Sequence, residues 1–183
     1  MTDPISLEIH PVTQERWEDF ERFFESKGAP HYCWCMAWRS MDKSIAKPTK
    51  FDKKAAMKQR VEADVPIGLL AYFEGEPIAW CSIAPRETYR TLGGDQTKEK
   101  VWSLACFFVK HAFRNQGITH RLLQEAIKYA KANGARYLEA YPVDPDSPSY
   151  RFMGVKPMFE ESRFEFIKKA GTRRYVMIRD IQD

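Results

Sequence analysis

The segment Val109-Lys110-His111-Ala112-Phe113-Arg114-Asn115-Gln116-Gly117-Ile118-Thr119 holds the residue types best placed for binding chemistry. An apolar run over 101–109 precedes it and a helical period begins at Ile118, so it reads as a strand-to-helix turn. A helix start leaves backbone N–H groups unpaired and presents the positive end of the helix dipole, and a small residue such as Gly117 lets a phosphate approach that backbone. Arg114 adds a planar guanidinium whose geometry suits phosphate oxygens. Together these features suit a diphosphate. The segment has neither the GxxxxGK[ST] of a nucleoside triphosphatase nor the GxGxxG of a dinucleotide site.

Other reactive groups are more dispersed. Cys33 and Cys35, one residue apart, could combine with Cys81, Cys106 or His31 around a metal, but structural zinc favours CxxC pairs or wider spacings, so packed free thiols and no metal are expected. Cys106 lies amid Leu104, Phe107 and Phe108, surroundings typical of core rather than of a nucleophile. Glu139 is a candidate general base, with Asp144 just beyond it; strand alternation puts Glu139 on one face with Tyr137 and Tyr141. Most strand carboxylates are nevertheless solvated or structural. The stretch HYCWCMAWRS (31–40) has no regular period and reads as a loop whose Tyr32, Trp34, Met36 and Trp38 either wall a substrate pocket or form a lid packed on the core, the pocket being favoured. Trp34, Cys35 and Tyr141 are candidate substrate contacts, and an acceptor with an apolar part would fit them.

These residues need a scaffold. Ile5, Leu7 and Ile9 alternate with polar residues as a strand does, and Thr13 can cap a helix carrying Trp17, Phe20 and Phe24 at helical spacing, ending near Gly28. A second helix is expected over about 51–63, then a hairpin of 67–73 with 77–84 through Glu74-Gly75-Glu76. Gly93-Gly94 marks 85–100 as a mobile connection. Strand 101–109 leads to a helix over 118–133, whose Ile118, Leu122, Leu123, Ala126 and Ala130 form a buried stripe, and strand 137–141 completes a βαβ unit with a parallel pair. A proline-rich loop (142–148), a short helix (157–162) and a hairpin of 164–168 with 174–178 close the chain.

A length of 183 residues fits one domain, and 44% hydrophobic beside 30% charged residues excludes a disordered chain. A net charge of +4, spread along the sequence, argues against nucleic acid. The nine-residue run 101–109 falls well short of the ~20 apolar residues a membrane-spanning helix needs, so no membrane role is expected. The start Met1-Thr2-Asp3-Pro4 does not resemble a signal peptide, and a cytoplasmic protein with reduced thiols is expected.

With this order of elements, Arg114-Asn115-Gln116-Gly117-Ile118-Thr119 resembles the RxxGxG/A loop of the GNAT superfamily of acyl-CoA-dependent N-acyltransferases. Val109 stands at that superfamily's Val, and Leu122-Leu123 at its Leu-Leu. HYCWCMAWR, SLACFFV, EAYPVD and MFEESRF are similar to a bacterial branch with an N-terminal CWC segment. The resemblance implies an α+β fold: one GNAT-like domain over 1–183, its mixed, mostly antiparallel twisted sheet flanked by helices, with the parallel βαβ unit at the cofactor site. It implies acetyl-CoA (CoA) as cosubstrate, held by the backbone of Phe108 and Val109 along the pantetheine arm. Arg114 and the amides of Asn115, Gln116, Gly117, Ile118 and Thr119 would hold the diphosphate. The strands ending near Val109 and Tyr141 would splay around the acyl group, and a small-molecule amine would attack the thioester directly. Such a fold allows a homodimer.

Three residues depart from that pattern. Thr119 stands where Gly or Ala is usual, and Arg163 where Gly is. Phe159 occupies the place of a Tyr that often protonates the departing CoA thiolate, which leaves Tyr150 or water as donor, or the thiolate to leave unprotonated. A non-catalytic acyl-CoA-binding module and a thiol or metal protein working through CWC are the rival functions.

Overall fold

Period-two strands with apolar residues on both faces must be covered on both sides, and the computed structural model, which describes residues 5–182, has one sheet packed between helices. The elements are β1 (Glu8–Pro11), α1 (Trp17–Glu25), α2 (Lys50–Glu62), β2 (Gly68–Phe73), β3 (Glu76–Pro85), β4 (Val101–Val109), α3 (Ile118–Ala132), β5 (Tyr137–Ala140), α4 (Lys156–Glu161), β6 (Glu165–Ala170) and β7 (Arg174–Asp180). The sheet order is β1-β2-β3-β4-β5-β7-β6, antiparallel except for the β4–β5 pair. The start of the chain at Met1 to Pro4 lies outside the described residues.

Alternation along β2 shows how the two faces divide. Leu69 and Ala71 join the cluster under α3, with Leu122, Leu123 and Ala126, whereas Leu70 and Tyr72 join Phe20, Phe23, Phe24, Met57 and Trp80 under α1 and α2. β4 alternates likewise: Phe107 packs toward α3 and Phe108 toward α1. At ~25 cal/mol per Å² of apolar surface, each fully buried Leu, Phe and Met among these is worth about 1.5–3 kcal/mol on burial.

The parallel ladder of β4 with β5 runs only from Val101↔Tyr137 to Leu104↔Ala140. Residues 105–109 of β4 therefore project beyond β5, with β3 beside them on the other side. The β5 strand ends at Ala140, so over 105–109 β4 has no strand partner on that side, the stretch where the sequence resemblance implies a splay.

Three local expectations change. The first strand forms later, at Glu8–Pro11, and Thr13 makes no side-chain cap, because a 3₁₀ turn over Gln14–Arg16 intervenes before α1. By contrast α2 begins with a reciprocal cap: Thr49 Oγ1 accepts from Asp52 N and Asp52 Oδ2 accepts from Thr49 N at 2.7 Å. Residues 85–100 are anchored rather than loose, since Arg86 donates to the carbonyls of Asp95 at 2.7 Å and Lys98 at 2.8 Å. Gly94 then lies directly on Glu139, where any Cβ would meet the carboxylate oxygens.

Candidate active site

The turn after β4 is built to leave donors free. A 3₁₀ turn at His111–Phe113 ends at Arg114, and the chain then passes through left-handed conformations at Asn115 (φ 60°) and Gly117 (φ 72°) before α3 starts. Nothing lies within 4 Å of where a Gly117 Cβ would stand, so conformation, together with room for a ligand, is what favours glycine there. The amides of Asn115, Gln116 and Gly117 donate no backbone hydrogen bond, and those of Ile118, Thr119 and His120 are first-turn amides of α3. That row of free donors at the positive end of a fifteen-residue helix matches a diphosphate. Arg114 is exposed; its Nε donates to Val109 O at 3.1 Å, tying the guanidinium back toward the end of β4.

Below the turn opens a groove of about 630 Å³, bordered by Phe107, Phe108, Val109, Arg114, Gly117 and Thr119, with Phe152 and Met158 on its far side. The end of the β4 overhang, Phe107 to Val109, borders it, with the half-buried Phe108 and Val109 where an extended amide-bearing chain could add to the sheet edge. Asn115 and Ile118 border it too, though the Ile118 side chain is buried in the core, so the amide is what it offers. Gln116 turns its amide nitrogen onto Ala112 O at 3.2 Å.

A second, apolar cavity of about 310 Å³ lies on the α1 side of β4. Cys33, Cys35, Trp38, Trp80 and Cys106 line it, and it shares Phe107, Phe108 and Phe152 with the groove. The loop bearing Cys35 is held in shape by left-handed residues at Trp34 (φ 49°) and Cys35 (φ 56°) and by Met36 N donating to Cys33 O at 2.9 Å. Trp80 Nε1 donates to Cys35 Sγ at 3.2 Å. Behind the loop, Arg39 is fully buried. Its Nε donates to Cys35 O at 3.2 Å, and Nη2 to Ile67 O and Ser82 Oγ at 2.8 Å and Tyr89 OH at 3.1 Å.

The neighbouring Cys106 thiol, then Arg39, Ser82 and Trp80, lower the Cys35 pKa against the opposing effect of burial. Proximity to Cys35 raises that of Cys106, whose Sγ donates to Phe107 O at 3.7 Å, and burial raises Cys33 and Cys81. Neither Arg39 nor this thiol pairing was anticipated from sequence. An arginine inside a run of aromatics was the available signal, but three of its four acceptors lie 28 to 50 positions away.

Three expected site residues sit deeper than a cavity wall. Trp34 is buried, stacked on Phe24 at 5.4 Å, and faces a separate hollow beside Lys50 and Lys54. Tyr141 is wholly inside, its hydroxyl 2.7 Å from Ser103 Oγ. Glu139 is equally buried, between Gly94 and Arg86 Nη1 at 3.5 Å, and borders neither the groove nor the thiol cavity. Burial raises its pKa, more than Arg86 lowers it. Strand alternation gives the face a side chain takes but not the depth of what covers that face. Phe159 is buried against Phe107 and Phe164, while Tyr150 borders neither cavity itself but packs 6.0 Å from Trp38 and 6.2 Å from Phe152 by ring centroid, two rings that do. Asp144 accepts from Tyr175 OH at 2.9 Å. Among the described residues no group of His, Cys, Asp and Glu could hold a metal ion, and no helix is long and apolar enough to cross a membrane.

Known structures with this arrangement are numerous. The N-acetyltransferase of Staphylococcus aureus Mu50 superposes with a TM-score of 0.58 at 16% identity, covering 96% of this chain and 99% of that one. The PaiA N-acetyltransferase of Thermoplasma acidophilum, solved with coenzyme A, gives 0.56 at 18% identity, over 96% of this chain and 99% of that one. The ribosomal-protein-S5-alanine acetyltransferase of Vibrio fischeri gives 0.59 at 12% identity, over 97% and 94%. At such identities the likeness establishes the fold. Among curated proteins none matches the sequence. The profile of the Acetyltransferase (GNAT) family matches residues 9–154, which runs from within β1 through the free-amide turn and takes in the thiol cavity and most of the groove, and the chain belongs to that family of acyltransferases.

Proposed function

We propose that the chain is one catalytic domain that moves an acetyl group from acetyl-CoA to the amine of a small molecule in the cytoplasm. The observation that carries this reading is the junction of the two cavities across Phe107 and Phe108. A CoA diphosphate on the amides of 115–119 and Arg114, with pantetheine along Phe108 and Val109, brings the thioester to that junction. An amine entering from the apolar cavity meets it there, and proximity supplies much of the rate.

The acceptor has an apolar body, since aromatic rings and thiols line its cavity. Tyr150, beside Trp38 and Phe152, or a water returns a proton to the CoA thiolate in place of Phe159. Glu139 serves to hold the loop at Gly94 in place.

Calorimetric titration with acetyl-CoA, followed by a screen of aromatic and aliphatic amines, tests the proposal. Binding lost in both Arg114→Ala and Gly117→Glu supports the turn as the diphosphate site. Absence of binding to the unaltered protein would falsify it, and binding without turnover on any amine would make the chain an acyl-CoA-binding module.

A further inference from the structure

The apolar cavity is lined by aromatic rings, by the thiols of Cys33, Cys35 and Cys106 and by small residues; among the described residues bordering it, none carries a carboxylate, an imidazole or a cation. The adjoining groove adds Arg114, His120 and Arg151, and again no carboxylate. His120 sits in the first turn of α3, with the amides assigned to the diphosphate. Cations, by contrast, back the cavity wall. Arg39 donates to neutral acceptors only, Cys35 O among them, and its Nη1 has no partner. The Arg174 guanidinium lies 4.8 Å from the centre of the Trp38 ring and bonds to Leu92 O, and Lys53 Nζ donates to Tyr32 O at 3.1 Å. Carboxylates of the neighbouring elements are engaged elsewhere, Glu21 and Glu25 of α1 with Lys54 and Glu139 of β5 with Arg86.

Such surroundings choose among amines. An alkylamine with the ~10.4 of a lysine side chain is neutral in only on the order of one molecule in 10³ near neutrality. Its ammonium form would give up water here for rings and thiols, beside positive charge and without a counter-ion. It would also have to lose a proton before attack, and no carboxylate or imidazole borders the cavity to take it. Aromatic faces can hold a cation, but Trp38 and Phe108 already have the guanidinium groups of Arg174 and Arg114 over them. An amine on an aromatic ring is uncharged near neutrality, because its lone pair is shared with the ring, and needs neither counter-ion nor base. A flat ring also suits walls made of Trp38, Trp80, Phe108 and Phe152. Trp38 Nε1 is a buried donor without a partner, and an acceptor oxygen on the ring would satisfy it.

We propose that the acceptor is an aromatic amine, bound uncharged with its ring among Trp38, Trp80 and Phe152 and an acceptor oxygen of a ring substituent on Trp38 Nε1. The inference deepens the acyl-CoA reading above and rests on it. The amine lone pair attacks the thioester carbonyl directly; the carbon–nitrogen bond forms and the carbon–sulfur bond to CoA breaks. The nitrogen loses one proton and the CoA thiolate gains one, so the products are an N-aryl acetamide and CoA, with no further reactant. Deprotonation follows the attack rather than preceding it, in keeping with a cavity that holds no base.

The test compares 4-methylaniline with benzylamine, isomers that share a ring and a volume and differ in whether the nitrogen is charged near neutrality. CoA release and product mass are followed with the full chain and acetyl-CoA, and calorimetry of acetyl-CoA is run on the same preparation. 4-Methylaniline should exceed benzylamine by roughly tenfold or more in kcat/KM on total amine. Equal or better use of benzylamine overturns the proposal, as does acetyl-CoA binding with neither isomer acetylated, which leaves the CoA site standing; no acetyl-CoA binding overturns both readings. Ala37→Asp places a carboxylate at an exposed point of the cavity border and should narrow the ratio by raising benzylamine; an unchanged ratio contradicts the electrostatic argument. By calorimetry 4-aminobenzamide should bind about fivefold tighter than 4-methylaniline, and Trp38→Phe, which keeps a ring and loses the N–H, should erase that margin. A margin that is absent from the unaltered protein, or that survives the substitution, overturns the role of Trp38.

Discussion

The turn at 114–119 and the thiol pocket at 33–39 solve the problem of binding in opposite ways. The turn is exposed and nearly free of internal partners: its amides point outward, and its backbone is set by two left-handed residues. The pocket loop has the same left-handed device at Trp34 and Cys35, but is bonded into the protein on every side through Arg39, Trp80 and Ser82. A site made of unmatched donors is cheap for the fold and specific for anions. A site made of matched buried groups is coupled to stability. Substitutions in the two should therefore separate into ligand effects and folding effects.

The sharpest separation is expected at Arg39. Arg39→Leu strands the buried acceptors at Ile67 O, Ser82 Oγ and Tyr89 OH, and should cost about 1–3 kcal/mol in denaturant unfolding for each acceptor left unsatisfied. Should it cost nothing, the pocket is not part of the fold and the contrast fails. Arg114→Ala is its counterpart, with about 1.5–3 kcal/mol lost from acetyl-CoA binding by calorimetry and an unchanged melting temperature. Gly94→Ala drives a methyl into the Glu139 carboxylate and should destabilise by about 1–3 kcal/mol while CoA binding persists. Gly117→Ala is smaller: about 1–2 kcal/mol of left-handed strain, with weaker CoA binding besides.

A pH series adds a folding readout. The folded pKa of Glu139 is raised, so the native state holds this proton more tightly than the unfolded chain. Stability from the group is complete below the unfolded value of about 4.3 and declines as pH rises through the folded one. Glu139→Gln should flatten that decline and retain transferase activity, because Arg86 keeps its two carbonyl acceptors. Loss of activity in this variant would return Glu139 to the reaction.

The contrast also explains what could be read from the sequence. The turn is contiguous, lies between a strand and a helix whose ends fall within a residue or so of their periodic signals, and was legible with its donors in order. The pocket joins Cys35 to Trp80, 45 positions on, and Arg39 to Ser82, 43 positions on, through β3 and its irregular pairing with β4 at Ser82/Ile83, and no local pattern encodes that meeting. Cys106 looked like core because its neighbours Leu104 and Phe107 are core, yet it opens toward the cavity on the alternate face. Gly93-Gly94 looked like slack because glycine signals freedom in sequence. In the protein the second glycine is a contact surface for a carboxylate.

The overhang of β4 beyond Leu104↔Ala140 has one further consequence, in the domain of isotope exchange. Antiparallel pairing with β3 still protects those amides of 105–109 that face it, while those facing the absent β5 exchange with solvent through the groove. Deuterium uptake should therefore alternate residue by residue along this half of the strand, fast and slow, with no such alternation from Val101 to Leu104. A pantetheine arm lying along the edge would stand in for the missing strand and erase the pattern without moving the backbone.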